Sequence, residues 1–68
     1  MTKAQYDGII AHIEAKHKSG YRLRLHMSNG EYVQGTVELV GTRTLIVNQD
    51  TNQIAYADLD RVDYITVG

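Results

Sequence analysis

Residues 21–35 read YRLRLHMSNGEYVQG, and the fold is decided by this stretch. Tyr21, Leu23, Leu25 and Met27 alternate with Arg22, Arg24 and His26. A period of two is that of a half-buried strand, here with a basic outer face. Asn29-Gly30 follows at once, a pair that tolerates positive φ and signals a tight hairpin. The returning strand spans about 31–40 and places Val33, Val37 and Leu39 on one face. Gly35 interrupts it, and a glycine inside a strand marks a sharp bend or a bulge.

Working outward, the period changes on both sides. Toward the N-terminus, Tyr6, Ile9, Ile10, Ile13 and His17 form one stripe at helical spacing, so residues 3–18 are expected to be an amphipathic helix. Thr2 and Gln5 have the spacing of a capping box, which satisfies two otherwise orphaned amides. Lys16, His17 and Lys18 suit the negative end of the helix dipole, and Gly20 suits a left-handed stop. Toward the C-terminus, Gly41-Thr42 turns into a third strand, Thr44 to Asn48. A polar turn, Asp50-Thr51-Asn52, precedes a fourth strand, Gln53 to Ala57. Asp58-Leu59-Asp60 suits a single helical turn, and the last strand opens with Arg61 and Val62 and runs to Val67. The expectation is a mainly β (α+β) single domain over 1–68: one helix, then a strongly bent five-stranded antiparallel sheet or small barrel.

Composition bounds the function. The chain has 68 residues, no Cys, no Pro and no Trp, so it is one small domain without a disulfide framework or a thiolate metal site. No apolar stretch approaches the ~20 residues that span a bilayer, and no signal-peptide core opens the chain. A soluble, cytoplasmic protein with no membrane contact is expected. Burial of apolar surface in a chain of this size contributes on the order of 100 kcal/mol. Ordering the backbone and side chains costs about the same. The monomer therefore sits near zero, and further burial in an oligomer is the expected support. The last two strands should lie near the sheet edges, where Ile54, Tyr56, Val62 and Ile65 make a free edge a liability. Head-to-tail pairing of those edges that closes would give a ring.

The formal net charge is −1, yet residues 1–26 carry +3 and residues 27–68 carry −4. A pI near 6.2 argues against indiscriminate duplex-DNA binding, which needs a broad basic face. Catalysis is not expected, because Ser19 and Ser28 lack a triad context and the six glycines form no phosphate loop. Neither a cofactor nor a small-molecule substrate is implied. His12, His17 and His26 have no metal-ligand spacing, and metal binding by Asp58 and Asp60 is disfavoured against capping of the turn at Leu59.

The order of one helix and five strands, with Asn29, Gly30, Val33, Gln34 and Gly35 in the pattern Asn-Gly-x-x-apolar-Gln-Gly, resembles the Sm-like family and within it the bacterial Hfq branch. The resemblance covers about residues 3–67. It implies a homo-oligomeric ring, hexameric or heptameric in the family and here of five to seven subunits (a pentamer included), that binds single-stranded RNA, with a chaperone-like or regulatory role. Some family positions differ. Where the family carries Asp, an aromatic or His, and Asn, this chain has Gly41, Arg43 and Leu45. The second family motif appears as Tyr56-Ala57-Asp58, in which only Tyr56 matches. An Asp beside the pore repels phosphate, so two other surfaces carry the expectation. One is a sheet face bearing His26 and Gln34. The other is a basic rim of Lys16, His17 and Lys18, with Arg22 and Arg24 close in sequence. Arg43 stands between stacking on a base, binding a phosphate, lying on the loop surface and serving as an intersubunit salt-bridge partner. Tyr56 stands between a subunit interface and the RNA. The alternative, from a different class, is a structural or protein-interaction ring that has lost RNA binding.

Overall fold

The structure, a computed structural model, describes residues 1–17 and 22–67. Helix α1 spans Lys3–His17 and is followed by β1 (Leu23–Met27), β2 (Tyr32–Val40), β3 (Thr44–Gln49), β4 (Ile54–Asp58) and β5 (Val62–Val67). A single 3-10 turn, Leu59–Arg61, joins β4 to β5. All strand pairs are antiparallel, and the sheet order is β4-β3-β2-β1-β5. The sheet is open, with β4 and β5 at its two edges, so the small-barrel expectation narrows to a bent, unclosed sheet. The expectations for Lys18 and for the Gly20 helix stop lie outside the described residues. No helix among the described residues is long and apolar enough to cross a membrane.

The N-terminus of α1 is set by a reciprocal cap. The Thr2 amide donates to Gln5 Oε1 at 2.9 Å, and the Gln5 amide donates to Thr2 Oγ1 at 3.2 Å. Of the predicted apolar stripe, Tyr6 and Ile13 are buried, while Ile9 and Ile10 are half-buried. Tyr6 enters a core of Leu25, Leu45, Val47, Leu59 and Val62. Val33, Val37, Leu39, Ala55, Ala57 and Ile65 pack around it, so every strand contributes its inner face to one cluster.

The hairpin at Asn29-Gly30 forms by a different device from the one expected. Gly30 takes a φ of +89°, but Asn29 does not take a positive φ. Instead the Asn29 side chain accepts from the Glu31 amide at 2.9 Å, and the Gly30 amide donates to the Met27 carbonyl at 3.0 Å. Gly35 is where β2 changes partner: residues 32–35 pair with β1, and residues 35–40 pair with β3. The ladder keeps its register there, so Gly35 marks a bend and not a bulge. The two ladders approach so closely that a Cβ at Gly35 would overlap the Asn48 carbonyl oxygen and lie 2.7 Å from its carbon. The sheet's irregularity falls instead on β5, where Tyr64 faces His26 and Val62 faces Met27, leaving Asp63 as the extra residue.

Candidate nucleic-acid interface

Alternation along β1 buries Leu23 and Leu25 and turns Arg24 and His26 to the other face of the sheet. The flanking strands add their own outward residues in register. Gln34 and Thr66 lie opposite Arg24, and Tyr32 and Tyr64 lie opposite His26. Two cross-strand rows result, Gln34–Arg24–Thr66 and Tyr32–His26–Tyr64, at the positions where directly opposed side chains touch.

The contacts tie the rows together. Arg24 Nη2 donates to Gln34 Oε1 at 3.1 Å, and its Cζ lies 4.6 Å from the centroid of the Tyr32 ring. The His26 ring stacks on Tyr64 with centroids 4.1 Å apart and planes 8° apart. It meets Tyr32 at 6.1 Å and 37°, and its Nε2 pairs with Thr66 Oγ1 at 3.0 Å. Tyr32 and Tyr64 are 55% and 54% exposed. Arg24 is half-buried, and its Nε is enclosed without a hydrogen-bond partner among the described residues. This face thus offers planar rings to stack on and a guanidinium held among them, the combination that single-stranded nucleic acid exploits.

The other predicted residues are not gathered here. Arg22 is exposed and makes an ion pair with Asp50 in the turn after β3. Arg43, in the β2–β3 turn, reaches Asp60 at 3.1 Å and Asp58 at 3.5 Å. Its guanidinium is an intrachain ion-pair partner, not an isolated cation awaiting a phosphate. Asp58 also caps the 3-10 turn by accepting from the Asp60 amide at 3.0 Å, with Leu59 buried beneath it as expected. Lys16 is exposed on α1, and Lys18 lies outside the described residues, so no rim cluster is assembled from what is described. Tyr56 sits on β4 opposite Ile46, two strands beyond β2, and is 72% exposed.

Tyr32, Tyr64 and Thr66 escaped the sequence reading. Period two put Tyr32 on the face of Gln34, and that signal was available. The pairing of β5 with β1 was not, because nothing local says which strand the last one joins.

A groove of about 830 Å³ runs between α1 and β5 on the inner side of the sheet, lined by Gly8, Ile9, His12, Ile13, Ile65 and Val67 among others. Among the described residues, no group of three or more His, Asp or Glu side chains is placed to hold a metal ion. No family model, curated protein or solved structure matches this chain.

Proposed function

We propose that this protein binds single-stranded RNA on the outer face of the β2–β1–β5 half-sheet, as one subunit of a homo-oligomeric ring of the Sm-like type. The observation that carries the reading is the pair of rows in which Arg24 and His26 lie among Gln34, Tyr32 and Tyr64. Bases stack on rings and on guanidinium planes whatever their sequence, and the Arg24 charge draws the backbone. The Sm-like part is supported by the order of the elements and by the change of partner at Gly35. The oligomeric part is supported by two open edges that carry exposed apolar side chains, Ile54 and Tyr56 on one and Tyr64 and Val67 on the other.

Titration of fluorescent oligo-A and oligo-U RNAs at two salt concentrations tests the reading. Micromolar binding that weakens as salt rises is expected, with replacement of His26 or Gln34 by Ala weakening it further. Absence of salt-dependent binding to either RNA overturns it.

A second reading, a ring that serves as a structural or protein-interaction scaffold, is favoured by one observation. Arg22 and Arg43 are already paired with carboxylates, which leaves less positive charge for phosphate than the sequence suggests. An intact oligomer that ignores both RNAs would select this reading.

A further inference from the structure

Stacking is indifferent to base sequence, but a hydrogen-bonding edge is not, and Arg24 supplies such an edge at the centre of the outer face. It stands mid-row between Gln34 and Thr66, on the central strand of the β2–β1–β5 half-sheet. Gln34 Oε1 holds its Nη2 at 3.1 Å, and the Tyr32 ring lies 4.6 Å from its Cζ. The guanidinium is thus fixed at one edge and on one face, so less freedom remains to be lost when a ligand meets it. Arg22 and Arg43 pair with carboxylates, whereas Arg24 forms no ion pair among the described residues.

The same contacts decide which base the row can read. A glutamine reads adenine by accepting from N6 and donating to N7 together. Gln34 Oε1 is already turned to Arg24, so the part of Gln34 is to hold the guanidinium. A guanidinium carries only donors. Guanine presents two acceptors side by side, O6 and N7, whereas adenine sets an N6 donor beside its N7 and opposes a second donor there. Tyr32 touches both rows, meeting the His26 ring and lying under Arg24, so a base stacked on it presents its edge to the guanidinium. Arg24 Nε is enclosed without a hydrogen-bond partner among the described residues, and a buried donor left unmet is costly. Turning the guanidinium from Gln34 toward a paired acceptor edge engages Nε and Nη2 together, exchanging one hydrogen bond for two.

We propose that Arg24 is the specificity-determining residue of this face and that it selects guanine, donating to O6 and N7 of a base stacked beside Tyr32. This rests on the RNA-binding reading and adds a base class to it. Single-stranded RNA in which isolated guanines recur binds more tightly than oligo-A or oligo-U. Tyr32, His26 and Tyr64 supply stacking for any base, and Arg24 supplies the choice. A phosphate also offers paired acceptors to a guanidinium, but it is the same in every sequence, so a backbone contact gives no preference.

The test alters the RNA first, so that it does not depend on a variant folding. Three fluorescent RNAs of one length are titrated: oligo-A, an AAG repeat, and the same repeat with 7-deazaguanine at each guanine. The deaza base keeps the ring, O6 and the Watson–Crick edge but carries a C–H in place of the N7 acceptor. The AAG repeat is expected to bind about 10-fold more tightly than oligo-A, and the deaza repeat to fall back to within about 3-fold of oligo-A. Arg24→Gln is expected to remove the preference, leaving the AAG repeat and oligo-A within about 2-fold of each other. Equal affinity of the wild type for all three RNAs overturns the proposal while the RNA-binding reading stands. So does a guanine preference that survives the deaza base or Arg24→Gln. Absence of salt-dependent binding to any of the three overturns the functional reading and this proposal with it.

Discussion

Arg24 differs from Arg22 and Arg43 in what it faces, and under the proposed function that difference decides which arginine a nucleic acid would use. Arg22 and Arg43 point at carboxylates, whereas Arg24 lies against an aromatic ring and an amide. Exposed ion pairs contribute little to stability, but they do consume the charge that a phosphate would need. Arg24→Ala is therefore expected to weaken RNA binding about 10-fold or more in low-salt titrations, and Arg22→Ala or Arg43→Ala by no more than about 3-fold. Arg24→Lys should not restore affinity, because an ammonium lacks the plane that lies against Tyr32. Equal losses for all three arginines would show that the site is a diffuse basic patch. The alternation of residues 21–27 made Arg24 and His26 legible as outward residues. The carboxylate partners were not legible, since Asp50 lies 28 residues from Arg22 and meets it only once the strands have been ordered. Gly35 was legible as a special position, but its reason is tertiary: the Asn48 backbone occupies the space where a Cβ would be. Gly35→Ala is expected to cost about 2–3 kcal/mol in urea unfolding, because the obstacle is backbone and cannot swing aside.

At the scale of elements, local chemistry accounts for most of what is seen. The capping box at Thr2 and Gln5, the spacing that buries Tyr6 and Ile13 on α1 and the alternation on β1 all act over a few residues, which is why the sequence carries them openly. Thr2→Ala removes the side-chain acceptor for the Gln5 amide and should cost about 1 kcal/mol in chemical denaturation. Gly8 presents the opposite case. It lies within α1 with nothing within 4 Å of the position a Cβ would take. On helix propensity alone, Gly8→Ala should stabilise the chain by about 0.8–1 kcal/mol and raise Tm by about 4–8 °C in a domain of this size. A fall in Tm would show that another surface already fills the groove beside Gly8. The Asn29-Gly30 turn was anticipated as a hairpin, but Asn29 reaches it through a side-chain acceptor and an ordinary φ. The dipeptide signals a reversal of the chain without specifying how its two residues divide the work.

For the molecule as a whole, the sheet order determines what the elements alone could not. Joining β5 to β1 places Tyr64 on His26 and leaves β4 and β5 as edges at opposite ends of the sheet. The sequence anticipated edges in the last two strands, and their apolar content as what makes a free edge there a liability. It could not anticipate that one of those edges would border the aromatic row, because that adjacency links residues 26 and 64 through a pairing with no local signal. The folded chain keeps 4562 Å² accessible, slightly above the roughly 4,300 Å² expected for a globular monomer of its mass. A chain this small, with so much apolar surface along two edges, should show a Tm that rises with protein concentration, because association stabilises by mass action. Replacing Ile54 with Lys places a charge on that edge and should shift sedimentation toward the monomer while leaving the fold intact. The central claim, a closed assembly that carries single-stranded RNA, is tested most directly by native mass spectrometry of the protein with oligo-A. The expected spectrum holds one closed species of five to seven subunits with RNA bound; a monomer, or an oligomer free of RNA at micromolar concentrations of both, would contradict it.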